Sequence, residues 1–153
     1  MQKSSICLWF NGHIQEAVNF YLSVFPDGKI EQNYFSKVAP PKDKTEPLTI
    51  NFEMGGQAYM ALNGNPQSNF TQAFSIMVHC DTQEEIDYYW DKLSVGGKEL
   101  QCGWLTDKFG ISWQIVPSQL GKWFESSDPG KADRVLKAVM GMVKLDLETL
   151  KNA

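Results

Sequence analysis

The side chains best suited to binding or catalysis lie in one stretch, Cys102 to Pro117, which reads CGWLTDKFGISWQIVP. From Ile111 to Val116, apolar and more polar residues alternate with a period of two, which predicts a half-buried strand that presents Gln114 on its less apolar face. Asp107 and Lys108 precede this strand and could form an acid–base pair at the rim of a cavity. An aspartate that opens a turn usually accepts hydrogen bonds from its own backbone, so the turn interpretation is favoured.

The histidines and cysteines offer little further chemistry. His13 falls at a predicted strand–helix junction, where a solvated polar residue is expected. His79 and Cys80 are adjacent on a predicted strand, so their side chains point to opposite faces and do not form a nucleophilic pair. Cys7, Cys80 and Cys102 are odd in number and lack the spacing of metal ligands, which predicts reduced thiols in a cytoplasmic protein.

Composition excludes several classes of function. The chain has 153 residues, a formal net charge of −4 and no run of basic residues, which argues against a nucleic-acid partner. No apolar stretch approaches the ~20 residues of a membrane span, and the residues after Met1 lead into a strand pattern, so we expect neither a signal peptide nor a membrane partner. The length and the 42% of hydrophobic residues predict one globular domain.

The elements that must position these residues follow one another in a regular order. The sequence predicts a strand at 6–10, a helix through Phe25, a strand from Lys29 to Val38, and a hairpin around Gly55-Gly56. After a polar linker at 63–72, a strand at 74–79, a helix capped by Asp81-Thr82 and the opening stretch complete the pattern.

This order is a repeat. When the first unit is laid on the second without a gap, Glu16 meets Glu84, Tyr21 meets Tyr89 and Gly28 meets Gly96. The coincident glycine stops and the matching element order indicate a duplication. The predicted fold class is therefore α+β, with β-α-β-β-β modules at 1–65 and 73–117 in a curled mixed sheet and a helical tail at 118–153.

The tail carries an apolar stripe at helical spacing. Asp128-Pro129 is expected to start its main helix and Asp146 to cap a final turn. Val135, Val139, Met140 and Met142 would leave an apolar surface unless something covers them. The simplest cover is a second copy of the chain, and the competing arrangement folds the tail onto its own chain.

Three motifs carry a resemblance to a known family: Trp9-Phe10-Asn11-Gly12 with the helix that follows, the Cys102–Pro117 stretch, and the tail from Lys137 to Leu147. On them the chain resembles the PhnB-like branch of the vicinal oxygen chelate superfamily, whose members include glyoxalase I, bleomycin-resistance proteins and extradiol dioxygenases. Members of this branch are often labelled 3-demethylubiquinone-9 3-methyltransferase domains. The resemblance implies eight strands curled around a small-molecule site, and a homodimer.

The resemblance also implies where a metal would bind: on inward faces of the first and fourth strand of each module. Because Leu8 and Phe10 are expected to pack on helices, the ligand-equivalent positions are predicted to be Cys7 (or Ser5), Ala61, Ser75 and Gln114. Ala61 cannot bind a metal, and Ser75 and Gln114 are poor neutral ligands, so three of the four positions lack a strong donor and no metal is expected. The same faces predict a ligand pocket lined by Cys7, Trp9, Tyr59, Ala61, Ser75, Met77, Trp104 and Gln114.

Three functions compete on these grounds. The first is a metal-free small-molecule-binding protein. The second is an enzyme acting on an aromatic or quinone-like substrate, as the methyltransferase label implies or in the manner of a lyase or dioxygenase. The third is a dimer module whose cup is filled by its own side chains. No glycine-rich turn opens a parallel strand–helix–strand unit, so neither S-adenosylmethionine nor another cofactor is expected.

Overall fold

The structure, a computed structural model, describes residues 3–153; Met1 and Gln2, which open the predicted first module, lie outside the described residues. The chain divides into two units, the first ending at Asn69 and the second beginning at Phe70. The elements in chain order are β1 (Ile6–Phe10), α1 (Ile14–Val24), β2 (Lys29–Tyr34), β3 (Thr49–Met54), β4 (Gln57–Asn63), β5 (Ile76–Cys80), α2 (Gln83–Leu93), β6 (Lys98–Glu99), β7 (Trp104–Thr106), β8 (Ser112–Pro117), α3 (Leu120–Phe124), α4 (Lys131–Met140) and α5 (Leu147–Asn152).

The first unit is a four-stranded mixed sheet in the order β1-β4-β3-β2, with α1 packed on one face. β1 and β4 are parallel, and the other neighbours are antiparallel. The predicted hairpin at Gly55-Gly56 joins β3 to β4, and both glycines have positive φ. The predicted strand at 29–38 ends earlier, at Tyr34, because the residues that follow leave the sheet for a proline-containing loop.

The second unit repeats this plan, with the order β5-β8-β7-β6 and helix α2. Thr82 caps α2 as predicted, since its side chain accepts a hydrogen bond from the Glu85 backbone N–H at 3.2 Å. The prediction of an α+β fold with two β-α-β-β-β modules and C-terminal helices is confirmed, in the form of two four-stranded mixed sheets.

The ungapped alignment of the two units is wrong in its register. It sets Phe74 opposite Ile6, where β1 begins, whereas β5 begins at Ile76. It sets Thr82 opposite Ile14, where α1 begins, whereas α2 begins at the next residue. The strand–helix turn is shorter in the second unit, so strands and helices cannot be brought into register by one common shift.

The helical tail packs on its own unit. Val135 and Val139 are buried in a cluster with Val116 of β8, and Met142 packs against it. For Val135, Val139 and Met142 the competing arrangement therefore holds, in which the tail folds onto its own chain, whereas Met140 remains 64% exposed. Asp146 caps α5 through Thr149, but the N-cap of α4 is Gly130, because Asp128 instead pairs with Arg134.

Backbone hydrogen bonds fix the tail to the stretch that contains Gln114. Cys102 N–H donates to Met142 O and Gly103 N–H donates to Val143 O, both at 2.8 Å. Gly103 has a positive φ of 78°, and a Cβ there would lie 2.9 Å from the Ile115 carbonyl oxygen. Only glycine allows β8 and the tail to approach this closely.

Among residues 3–153, no helix is both long enough and apolar enough to cross a membrane.

Replacing Leu150 tests the packing of the tail. Leu150 is completely buried, so Leu150→Ala should reduce the free energy of unfolding by about 3 kcal/mol, as measured by urea denaturation followed by circular dichroism. Val95 lies in the same unit but is 61% exposed, so Val95→Ala should change the free energy of unfolding by less than about 0.5 kcal/mol. Equal losses in the two variants would contradict the packing described.

Candidate functional site

Each sheet has one face covered by its helix; we call the opposite one the far face. In the second unit the strand register places Gln114 of β8 beside Met77 of β5 on one side and Trp104 of β7 on the other. Because paired residues share a face, all three lie on the far face. The prediction that they come together is confirmed. Met77 is 46% exposed, and Gln114 and Trp104 are half-buried.

Ser75 completes this group. Gln114 Nε2 donates to Ser75 Oγ at 2.9 Å, which orients the amide. Ser75 accepts this bond, so its own hydroxyl proton stays available, and no residue among 3–153 donates to Gln114 Oε1. The pair therefore presents a hydrogen-bond donor and an acceptor between a thioether and an indole.

A second row of the far face is hydroxylic. Ser112 of β8 pairs with Thr106 of β7, which in turn pairs with Lys98 at the sheet edge. Ser112 is only 2% exposed. The period of two in residues 111–116, which predicts Gln114 on this face, predicts Ser112 there as well. The sequence analysis missed Thr106 and Lys98, although period-two alternation from Trp104 would have found Thr106.

Asp107 holds the hairpin that carries Gln114. Its Oδ1 accepts from the backbone N–H groups of Phe109 and Ile111 at 2.8 and 3.1 Å, and its Oδ2 accepts from Trp113 Nε1 at 2.8 Å. Asp107 is 3% exposed, so it is a structural turn residue and not an acid–base group at a rim. The favoured turn interpretation is confirmed.

In the first unit, only two of the four residues predicted for the pocket lie on the far face. Cys7 and Trp9 lie on its far face and are exposed. Tyr59 and Ala61 do not share that face, because the parallel register pairs Tyr59 with Ile6 and Ala61 with Leu8 on the helix side. The prediction that they face the same way as Cys7 is wrong.

The same correction applies to Asn63, which pairs with Phe10 and is buried. Tyr59 instead stacks on Phe52, with ring centroids 5.3 Å apart, and burial raises its pKa to about 12. The neighbours of Cys7 and Trp9 on the far face are Met60 and Leu62, which sequence reasoning missed. The run Ala58–Leu62 has no contrast between apolar and polar residues, so alternation alone could not predict which of its side chains lie on the far face.

The histidines remain isolated. His79 is exposed on the far face of β5, while Cys80 is buried on the other face, where burial raises its thiol pKa to about 12. A thiol in that state is not a nucleophile. His13 is the N-cap of α1, with a positive φ of 58° and no capping side-chain bond.

No group of three His, Cys, Asp or Glu side chains within residues 3–153 is arranged to hold a metal ion. The corrected register pairs Cys7 with Met60 and Met77 with Gln114. Thioether and amide groups are poor ligands for Mn²⁺ or Zn²⁺, which prefer carboxylate, imidazole or thiolate donors.

Comparisons with known proteins identify the fold and the family. The sequence model of the 3-demethylubiquinone-9 3-methyltransferase family matches residues 2–116. The PhnB protein of Bacillus cereus is 34% identical, with a TM-score of 0.67 over 75% of this chain and 99% of that one. Functionally curated protein sequences gave no significant match.

Two further structures share the fold at lower identity. A protein of Pseudomonas aeruginosa is 22% identical, with a TM-score of 0.64 over 76% of this chain and 98% of that one. The fosfomycin resistance protein FosX of Listeria monocytogenes, solved with Mn(II) and sulfate, is 14% identical, with a TM-score of 0.57 over 82% of this chain and 98% of that one.

Replacing Asp107 tests how the site is held. The Phe109 and Ile111 N–H groups and the Trp113 indole all donate hydrogen bonds to the Asp107 carboxylate. An amide has only one acceptor oxygen, so in Asp107→Asn the NH₂ group would face one of these donors and lose the hydrogen bond. We expect the free energy of unfolding to fall by about 2 kcal/mol and the Trp113 indole N–H to exchange faster with solvent.

The matched control is Asp81→Asn, an exposed aspartate in the turn before α2, which should change the free energy of unfolding by less than about 0.5 kcal/mol. Unchanged stability and indole exchange in Asp107→Asn would show that the carboxylate does not hold the hairpin.

Proposed function

The chain belongs to the 3-demethylubiquinone-9 3-methyltransferase family, the PhnB-like branch of the vicinal oxygen chelate superfamily, and on that premise we propose that it is a metal-free small-molecule-binding protein. Its ligand would lie on the far face of the second sheet, over Gln114. The supporting observation is the Gln114 amide, held by Ser75 at 2.9 Å and flanked by Met77 and Trp104.

The chemistry of these four residues favours a flat, partly apolar ligand. A thioether and an indole provide soft, polarisable surface for an aromatic or quinone-like ring. The oriented amide and the serine hydroxyl would bind one carbonyl or hydroxyl group on that ring. A few placed polar groups in an apolar surround are typical of small-molecule sites.

The metal-free part of the proposal rests on the donor set. Cys7, Met60, Met77 and Gln114 occupy the paired far-face positions of the strands β1, β4, β5 and β8. Neither the pair in the first unit nor the pair in the second fits a hard divalent ion, and burial raises the pKa of the one thiol, Cys7, away from the thiolate form that binds metals.

Methyl transfer, which the family name describes, would require a site for S-adenosylmethionine. Neither helix joins two adjacent parallel strands: β1 pairs in parallel with β4 and β5 with β8, and in each unit two antiparallel strands intervene in the chain. The residues present therefore do not fit a glycine-rich strand–helix cradle. Binding is the better-supported activity.

We further propose that the protein is a homodimer to which the tail contributes. The stripe residues Val135 and Val139 are internal, but Leu136, Met140 and Val143 remain 48%, 64% and 37% exposed. Contiguous exposed apolar side chains favour association, and two-fold pairing is its commonest form.

A cytoplasmic location is also proposed. Cys7, Cys80 and Cys102 are all free thiols, which suits a reducing compartment.

Native mass spectrometry of the protein as purified tests the binding site. We expect a retained small molecule on the wild-type chain, with no accompanying metal mass. Gln114→Ala should lose it, because truncation leaves the ligand's polar group unpaired, at a cost of about 1–3 kcal/mol or about 10- to 100-fold in affinity. Gln101→Ala, at an exposed glutamine in the same stretch, should retain it.

Retention of the ligand by Gln114→Ala at wild-type occupancy would refute the proposed position. A retained ion of one divalent metal per chain would refute the metal-free assignment.

Sedimentation velocity tests the dimer. At tens of micromolar we expect the wild type to be a dimer and Met140→Lys to dissociate, because the charge would be buried in the interface. Val38→Lys, at a residue that is 95% exposed in the first unit, should remain a dimer. A wild-type monomer would refute the dimer, and a dimeric Met140→Lys would remove α4 from the interface.

A further inference from the structure

The first unit contains a cleft of about 1010 Å³ at the amino end of α1. Its walls come from three segments: the turn at 11–13, the loop between 39 and 48, and residues 63–65 at the end of β4. The volume is at the upper end of the range for small-molecule sites. None of these residues belongs to the group around Gln114.

Glu46 fixes one wall of the cleft. Its Oε2 accepts from the backbone N–H of Gln15, the second residue of α1, at 3.5 Å and from Asn63 Nδ2 at 3.4 Å. A negative charge at a helix amino end is stabilised by the helix dipole. Both bonds go to one oxygen, so Glu46 Oε1 is left without a partner among residues 3–153.

Asn63 fixes a second acceptor. The residue is only 4% exposed, and its Nδ2 also donates to Pro47 O at 3.2 Å. Both neighbours of Nδ2 can only accept, which settles the orientation of the amide. Asn63 Oδ1 then accepts no hydrogen bond from the described chain, and the residue lines the cleft, so this oxygen is available to a ligand there.

The electrostatics of the cleft are acidic. Its lining carries two carboxylates, Asp43 and Glu46, against one ammonium group, Lys42, a net charge of −1 when the imidazole of His13, which also lines the cleft, is neutral. The side chain and backbone N–H of Thr45 donate to Asp43 Oδ1 and lower the pKa of Asp43, which keeps it ionised. The apolar part of the wall is formed by Ala39, Pro40, Pro41 and Leu48, and the rest of the lining is polar or glycine.

We propose that this cleft binds a small organic cation whose primary ammonium group donates to Asn63 Oδ1 and to the Glu46 carboxylate. A short apolar stem on the cation would pack against Pro41 and Leu48. The fixed groups accept hydrogen bonds and do not donate them, which selects a donor. An anion is disfavoured because Glu46 already occupies the amino end of α1.

Titration of ¹⁵N-labelled full-length protein with n-butylamine, cationic at pH 7, tests the proposal. Butylammonium should give saturable shifts of the Asn63 side-chain amide and the Gly64 backbone amide. The neutral isostere 1-butanol should bind at least about tenfold more weakly, since it lacks the charge. Equal shifts from both compounds, or no saturable shift, would overturn the proposal.

Variants localise the binding. Glu46→Gln keeps the shape of the side chain and removes the charge, so butylammonium should bind at least about tenfold more weakly. Glu53→Gln, at a carboxylate of the same unit that pairs with Lys29, should bind it unchanged. If Glu46→Gln disturbs α1, Asp43→Asn, at an exposed residue, should still weaken binding about two- to threefold.

Two further outcomes decide between alternatives. Inorganic phosphate that shifts the same resonances, and does so more strongly in Glu46→Gln, would overturn the proposal in favour of an anion site. Gln114→Ala should bind butylammonium as the wild type does. The proposal for the cleft and the proposal for the site over Gln114 are therefore tested independently of each other.

Discussion

The buried carboxylate of Asp107 is the constraint on which the second unit depends. With one oxygen it binds the two backbone N–H groups that close the turn, and with the other it binds the Trp113 indole. Trp113 is fully buried on the helix side of β8, so this bond fixes which face of the strand turns inward. Gln114 is thereby committed to the far face, between Met77 and Trp104.

A second constraint is the parallel pairing of the outer strand with the fourth strand of each unit. β1 pairs with β4, so Ala61 lies on the same buried face as its partner Leu8. β5 pairs with β8, so Ile115 lies on the same buried face as its partner Val78. A one-residue slip would reverse every side chain of the strand. The far-face residues are set by what packs beneath the sheet.

Much of this could be predicted from the sequence, and the failures have identifiable physical causes. Within the Cys102–Pro117 stretch, the sequence alone predicts which side chains lie on which face of β8, because the apolar Trp113 and Ile115 alternate with the polar Ser112 and Gln114. β4 has no such contrast between apolar and polar residues. Which of its side chains lie on the far face depends on the pairing of Cys7 with Met60, two residues far apart in the chain, and the local sequence pattern carries no information about that pairing.

The packing of the tail could not be predicted for a related reason. Helical spacing identifies an apolar stripe, but it does not indicate whether Val116 of the same chain or a second chain covers that stripe. The cleft at α1 arises from loop residues distant from one another in the sequence and left no periodic signal.

The central claim is that the far face of the second sheet is a ligand site. The most direct measurement is a high-resolution crystal structure of the full-length protein as purified, examined for electron density over Gln114. The account predicts a small molecule within hydrogen-bond distance of the Gln114–Ser75 pair and in contact with Met77 or Trp104. Density showing that the protein's own side chains fill that space, with Gln114 Oε1 satisfied from within the chain, would contradict it.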